Sequence, residues 1–510
     1  MADSDMDEGS DIKDQVLNEG SGTPKDQKLG FGSQISTPVP RLLTSRQEDK
    51  ALTTNHQSPI TNQQPLTTRS STVWLLTDVF PPGGGGSGWS TFYLGRALRD
   101  AGWHVRVMRP RYDCSVVTPQ VRVVEYGELN IEEILVPQPP WWLGKVDGSM
   151  ARAYTGRTAT RLLARRAYIH ARRGDAQVLH GQHAISAVAA SRAALRSRKD
   201  GLSVVSVGTV RDYWPLCPVS TRLFNSEGGD FECPECHKLS SYLQCATSRA
   251  RKAYRLKKMP VSLARWAATR ASAGELARCD AVIGVSRYIT SELRGSGRIA
   301  GEKLRTIPNL VELPSVERAI SGPWPLKDVP ADVPFMLFAG KLDPNKGAQH
   351  LPAALREAGV DMPVVFAGDG PLKGQLQSEG ARRGLDLRFY DWLDNDSVLR
   401  LMHSARVLLF PSAWQEPLSR VLLEGCASGA AIVALNTGGT GDVLEHMRSG
   451  WLAKDMADFA DGVCRVASDD NLNVRLREGA RRQAAERFAA PRVASEMSEL
   501  YVDLLARHAT

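Results

Sequence analysis

The chain alternates short apolar runs with glycine-rich turns and helical stretches, and it does so in two successive series. The first opens abruptly at "STVWLLTDVFPPGGGGSGWSTFYLGRALRDAGWHVRVMRP". A strand-like run, Val73 to Val79, enters a glycine turn, then a helical pattern through Phe92, Leu94 and Leu98, then a second strand from Val105 to Met108. Repetition of this unit predicts α/β architecture, with a parallel sheet covered by helices. The second series starts at "FMLFAGKLDPNKGAQHLPAALREAG" and runs to "AAIVALNTGG". Two such units imply a ligand cleft between them, at the carboxyl ends of their strands.

At 510 residues the chain exceeds a single hydrophobic core, which agrees with two domains. The expected organisation is a disordered tail over 1–70, poor in aromatics, and a first Rossmann-like domain over 71–312 with a cysteine-containing insertion at about 212–260. A proline-punctuated linker (313–334), a second Rossmann-like domain (335–488) and a last helix (489–510), read as crossing back to the first domain, complete it. The net charge of +8 favours an anionic partner without choosing among phosphorylated substrate, acidic lipid and nucleic acid. No apolar run approaches the ~18 residues of a membrane span. The acidic opening "MADSDMDEGSDIKD" is unlike a secretory signal, and eight cysteines in this length suggest a reducing cytosol.

Several positions carry candidate chemistry. "WQEPLSRVLLEG" sets Glu416 and Glu424 eight positions apart. On a helix that spacing is roughly 12 Å, too far for a shared proton but suited to two parts of one long ligand. Pro417 is expected at the first helical position, leaving Glu416 at the helix mouth. In "AGKLDPNKG", Lys341 and Lys346 flank a turn after an apolar strand; they are either a diphosphate-neutralising pair or solvated lysines. The loop containing Gly84, Gly85 and Gly86 offers backbone N–H groups at a helix start to an anion, or is a flexible turn. Gly368, in "AGDGP", and Gly438 and Gly439, in "NTGGTGD", place further amides after strands. "VLHGQH" puts His180 and His183 at a strand end, as a sugar contact or as packed histidines. Cys217, Cys233, Cys236 and Cys245 fall in one 29-residue segment and are either ligands of a structural zinc or plain thiols. Two basic stretches, "RAYTGRTATRLLARRAYIHARR" and "SRARKAYRLKKMPVSLARWAATR", read as a surface for anionic lipid or an acidic acceptor, or as solvated helix faces.

The order of these segments resembles the retaining glycosyltransferases of the GT-B fold, in particular the large family-4 type group, over most of residues 72–490. The family's E-x7-E pattern matches Glu416 and Glu424, and "PPGGGG", "VLHGQH", "CDAVIGVS", "LRTIPNLVEL", "AGKLDPNKG", "AGDGP" and "NTGGTGDVL" follow in family order. The segment "VRDYWPLCP" also looks like the "HDYWxxCP" of a subset, with Arg211 in place of His. The resemblance implies a UDP- or GDP-sugar donor, no metal or other cofactor for catalysis, and a glycan or lipid-linked acceptor. It also implies Glu416 at the sugar hydroxyls, Glu424 at the ribose, and His180 beside the sugar. Lys341 and Lys346 would hold the diphosphate, helped by amides at Gly84 to Gly86, Gly438 and Gly439.

Departures from the family pattern are Lys341 for arginine, Leu310 for glycine and Asp442 for glutamate. The implied setting is cytoplasmic, at the inner face of an anionic membrane, with no nucleic-acid partner. Rival readings are a GT-B nucleotide-sugar epimerase and a non-catalytic, zinc-stabilised binding protein.

Overall fold

In a computed structural model the described residues are 71–82, 85–113, 115–137, 148–222, 233, 238–248 and 255–509. The tail expected to be disordered lies outside them, as do Gly84 and Cys236. Among the described residues there are two sheets. The first contains β1 (Thr72–Leu76), β2 (His104–Asp113), β3 (Gln120–Tyr126), β4 (Leu129–Pro137), β5 (Val178–Gly181), β6 (Val205–Val210), β7 (Ala281–Gly284) and β8 (Leu304–Thr306). Their order is β3-β4-β2-β1-β5-β6-β7-β8, parallel except for the β3/β4 pair. The second contains β9 (Met336–Ala339), β10 (Val364–Ala367), β11 (Leu387–Tyr390), β12 (Val407–Phe410), β13 (Ile432–Leu435) and β14 (Trp451–Ala453), ordered β11-β10-β9-β12-β13-β14 and wholly parallel.

Buried on both faces, the central strands are continuous apolar runs rather than alternating ones: every residue of β1, β9, β12 and β13 is buried. Strand order reverses beside β1 and β5 in one sheet and beside β9 and β12 in the other. A crevice at the carboxyl ends of strands opens at such a reversal. The residues following β1, β5, β6, β9 and β12 are therefore the ones placed to meet a ligand.

β1 stops at Leu76, short of the expected Val79, because the next residues turn away. Thr77 Oγ1 donates to the Val79 carbonyl at 2.6 Å. The Asp78 carboxylate accepts from the backbone N–H of Ile185 and Ser186 at the start of helix Ala184–Lys199. Residues 313–320 of the expected linker are helical, with Pro314 in the first turn and Val316 and Ala319 buried. The last helix, Ala490–Ala509, packs Met497, Leu500, Tyr501 and Leu504 into the core of the first sheet. A single apolar cluster joins the two sheets, running from Tyr213, Trp214 and Leu276 to Leu408, Leu418 and Leu422.

The first basic stretch is partly internal. Arg166 pairs with Glu132 of β4, and His170 lies between Glu132 and Asp175, so part of that helix's charge is spent on the sheet. No helix among the described residues is long and apolar enough to cross a membrane. Among the described residues no three His, Cys, Asp or Glu side chains gather as metal ligands. The four-thiolate zinc site thus has Cys217, Cys233 and Cys245 within the described residues without a convergent set, and Cys236 outside them.

Candidate functional site

Glu416 follows β12 and is buried, 3 % exposed. Its Oε1 accepts from Lys346 Nζ at 2.5 Å and from Ser412 Oγ at 2.9 Å. Lys346, on the turn after β9, also lies 5.3 Å from the centroid of the Trp414 ring. The β9 and β12 ends of the second sheet thus converge on one ion pair, with Glu416 buried and Lys346 half-buried. Removing one member of such a pair leaves the other buried and uncompensated.

Glu416 does not sit at a helix mouth. The helix begins at Arg420 with Ser419 as its N-cap, and Pro417 lies three residues earlier. Three hydrogen bonds hold the preceding segment out of the helix: Gly439 N–H to the Glu416 carbonyl at 2.6 Å, Gly438 N–H to Gln415 Oε1 at 2.7 Å, and the Tyr213 hydroxyl to the Gln415 carbonyl at 2.5 Å. The ~12 Å helical spacing between the glutamates therefore does not apply.

Those bonds correct a second expectation. The amides of Gly438 and Gly439 are already donated to residues 415 and 416, so they shape the Glu416 loop instead of offering themselves to a phosphate. Gly438 has φ 55, and a Cβ there would lie 2.5 Å from the Glu416 carbonyl oxygen. Gly368 likewise has φ 141, its N–H is donated to the Tyr390 carbonyl, and a Cβ would lie 2.1 Å from the Gly340 carbonyl oxygen. Its glycine serves close packing of the β9 and β10 ends. The Lys341 side chain is 58 % exposed and pairs with Asp343 at 2.7 Å.

Glu424 is buried on helix Arg420–Ser428, and its Oε1 lies 2.9 Å from Arg420 Nε one turn earlier. Arg420 crosses to the first domain, with its guanidinium 4.7 Å from the centroid of Tyr93 and its Cδ 3.7 Å from where a Cβ on Gly86 would stand. Gly85 and Gly86 open helix Gly85–Asp100, so that helix's N-terminal turn faces Arg420.

The histidines divide. His180 has no exposed surface; its Nδ1 is 2.6 Å from the Tyr501 hydroxyl and its Nε2 2.7 Å from Thr209 Oγ1. Both nitrogens are occupied inside the core, which corrects its expected place beside a ligand. His183, two residues beyond the end of β5, contacts Thr77 Oγ1 through Nδ1 at 3.3 Å, and its Nε2 is buried without a hydrogen-bond partner among the described residues. Burial, with the Arg211 charge, pushes the pKa of each imidazole down to about 3, so both are neutral near pH 7.

Two residues at the end of β6 carry signals that the motif reading only touched. Arg211 donates through Nη1 to Asn309 Oδ1 at 2.5 Å and through Nη2 to Gln182 Oε1, while its Nε is buried with no partner among the described residues. Asp212 accepts from the Trp214 N–H at 2.7 Å; burial, then the nearby Asp78 carboxylate, pushes its pKa up to about 6. Asp442 reaches the other way, accepting from Arg287 and from the Tyr288 N–H at 2.9 Å, and so ties the second domain to helix Arg287–Gly295.

Two family models divide the chain between them: glycosyltransferase family 4 matches residues 84–314 and glycosyl transferases group 1 matches residues 327–483. The chain belongs to the group 1 glycosyltransferases of GT-B fold. Within the family, spore coat protein SA of Bacillus subtilis (strain 168) is 30% identical over 181 residues, covering 33% of this chain and 48% of that protein. Glycogen synthase of Mycobacterium tuberculosis (strain H37Rv) is 27% identical over 208 residues, 38% of this chain and 49% of that protein. The chain thus spans about half the length of the curated relatives it matches. The crystal structure of Anabaena HepE in complex with UDP superposes with a TM-score of 0.56 over 85% of this chain and 100% of that one, at 16% identity, a likeness of fold.

Proposed function

We propose that this chain transfers a sugar from a nucleoside-diphosphate sugar to a hydroxyl group of a glycan or lipid-linked acceptor, retaining the anomeric configuration. The observation that carries the reading is the ion pair between the half-buried Lys346 and the buried Glu416 at the β9/β12 strand ends. Departure of a diphosphate develops negative charge, and pre-placed cations stabilise that charge in the transition state. Lys346 supplies one cation, and Glu416 orients both Lys346 and the sugar hydroxyls. Glu424 takes the ribose. His183, with its buried unpartnered Nε2, replaces His180 as the imidazole beside the sugar. The leaving diphosphate accepts the acceptor's proton on the same face as attack, so each bond change balances without a protein base. Lys341 contributes less than Lys346, being exposed and paired with Asp343.

UDP is the donor nucleotide we infer, on the strength of the UDP complex of HepE, with a GDP-sugar as the competing arm of the test. Turnover of UDP- and GDP-sugars by the full chain, with proton NMR of the product's anomeric centre, reads donor and stereochemistry together. Glu416→Gln keeps the shape but removes the charge that Lys346 needs, and the expected loss in kcat is at least about a hundredfold. Undiminished turnover by Glu416→Gln overturns the assignment, and an inverted product overturns retention.

A further inference from the structure

A lysine carries a compact charge on a flexible four-carbon stem, so an ammonium that must stand at one point has to be held from more than one side. At Lys346 two sides are supplied. Its Nζ lies 2.5 Å from Glu416 Oε1 and stands over the indole of Trp414, 5.3 Å from the ring centroid. A cation within about 6 Å of an aromatic face is drawn to the electron density of that face. The main chain of Trp414 braces the same turn, because its N–H donates at 3.1 Å to the carbonyl of Asn345, the residue before Lys346. The far edge of the indole leaves the second domain. Its Nε1 donates to the Thr221 carbonyl at 2.6 Å, and the ring meets Tyr213 edge to face with centroids 6.1 Å apart. One half-buried side chain therefore touches Lys346 with its face and the first domain with its edge.

We propose that Trp414 is a positioning residue: its ring face holds the Lys346 ammonium in place, and its indole N–H makes that hold depend on docking of the first domain. The inference rests on the nucleotide-sugar reading above for what Lys346 does with its charge. Two contributions separate within one side chain. The face fixes where the ammonium stands, and so how well charge is met on the leaving group. The N–H bond to Thr221 pins the ring only while the two domains are together, so it acts on the closed population and on apparent affinity. Glu416 alone leaves the ammonium free to swing about a carboxylate oxygen, since lysine lacks the planar fork that would fix its direction.

The test replaces Trp414 in the full chain with increasingly fluorinated tryptophans, which keep the shape and the N–H while draining the face of electron density, alongside Trp414→Phe and Trp414→Leu. Thermal melts exclude variants that have not folded. Turnover is read at saturating UDP- or GDP-sugar. The contact is read without any donor, by NMR of 13C-dimethylated lysines, where the Lys346 signal, assigned by its loss in Lys346→Arg, is displaced upfield by the ring beneath it. Expected is a kcat that falls with each added fluorine, by at least about threefold across the series, with donor KM held within about twofold. Trp414→Phe keeps a ring face and holds kcat at saturation within about twofold, but weakens UDP affinity because the Thr221 bond is gone. Trp414→Leu loses at least about fivefold in kcat and loses the upfield displacement with it. A kcat indifferent to fluorination overturns the proposal, since a tryptophan that serves only as packing gives that result. Equal kcat losses in Trp414→Phe and Trp414→Leu overturn it as well, and so does a Lys346 signal that is not displaced in wild type. If the displacement is present and follows the variants but no nucleotide sugar is turned over, Trp414 positions Lys346 as stated and the proposed function is what fails.

Discussion

Gly438 couples backbone geometry to the candidate site more directly than any charged side chain does. Its φ of 55 and the 2.5 Å approach of a Cβ to the Glu416 carbonyl mean that alanine both strains the backbone and pushes Glu416 out of place. Gly438→Ala is expected to cost about 1–3 kcal/mol, read by denaturant unfolding, and to lower kcat more than its stability loss explains. Asp212 gives a pH-dependent prediction. Its pKa of about 6 in the fold lies above the ordinary aspartate value, so the folded protein binds a proton that the unfolded chain releases. Stability therefore falls as pH rises from about 4 through 6 and levels off above. A gap of about two pH units corresponds to roughly 3 kcal/mol, reduced by the partial solvent access of Asp212. Asp212→Asn retains the acceptor for Trp214 N–H and should be more stable than wild type at pH 8 but not at pH 4. Equal differences at both pH values contradict this. The two histidines of "VLHGQH" show where residue-level reading stops. In a strand buried on both faces, alternation carries no information, and only the end of β5 at Gly181 separates an enclosed imidazole from one at the cleft.

At the scale of elements, the strands were legible because each central one is a short apolar run that ends in glycine, lysine or a polar turn where the helix pattern takes over. The start of helix Arg420–Ser428 was not. Pro417 suits a first helical turn, but hydrogen bonds from Gly438, Gly439 and Tyr213, all distant in sequence, hold residues 415 and 416 outside it. Local preference lost to tertiary bonds that no short window contains. The last helix was visible through its apolar spacing, whereas its reach to His180 was not. That reach predicts a separable effect. Tyr501→Phe leaves His180 Nδ1 buried with no partner, at a cost of about 1–3 kcal/mol. The melting temperature should fall while kcat and KM, measured well below it, stay within about twofold. A large drop in kcat at full folding would return His180 to the reaction.

At the scale of the whole molecule, two of the hydrogen bonds between the domains fall beside the candidate site. The Tyr213 hydroxyl donates to the Gln415 carbonyl at 2.5 Å, and Trp414 Nε1 donates to the Thr221 carbonyl at 2.6 Å, both beside Glu416. The same loop that carries the proposed sugar contact therefore also bonds the two domains together. Each hydrogen bond contributes about 1 kcal/mol, small enough for a bound diphosphate to outweigh. Tyr213→Phe and Trp414→Phe should then populate a more open form in the absence of ligand, seen as a larger radius of gyration by small-angle X-ray scattering. Saturating UDP should return both variants to the wild-type dimension, because a ligand that prefers the closed form draws the population toward it. Apparent UDP affinity should weaken in proportion to the open fraction, while kcat at saturation stays near wild type. The double variant should weaken it further, with coupling between the two positions, since the Tyr213 and Trp414 rings lie 6.1 Å apart and Tyr213 bonds to Gln415, the residue after Trp414. Variants that match wild type in both dimension and UDP affinity would show that the apolar cluster joining the sheets, and not these two bonds, sets the closed state.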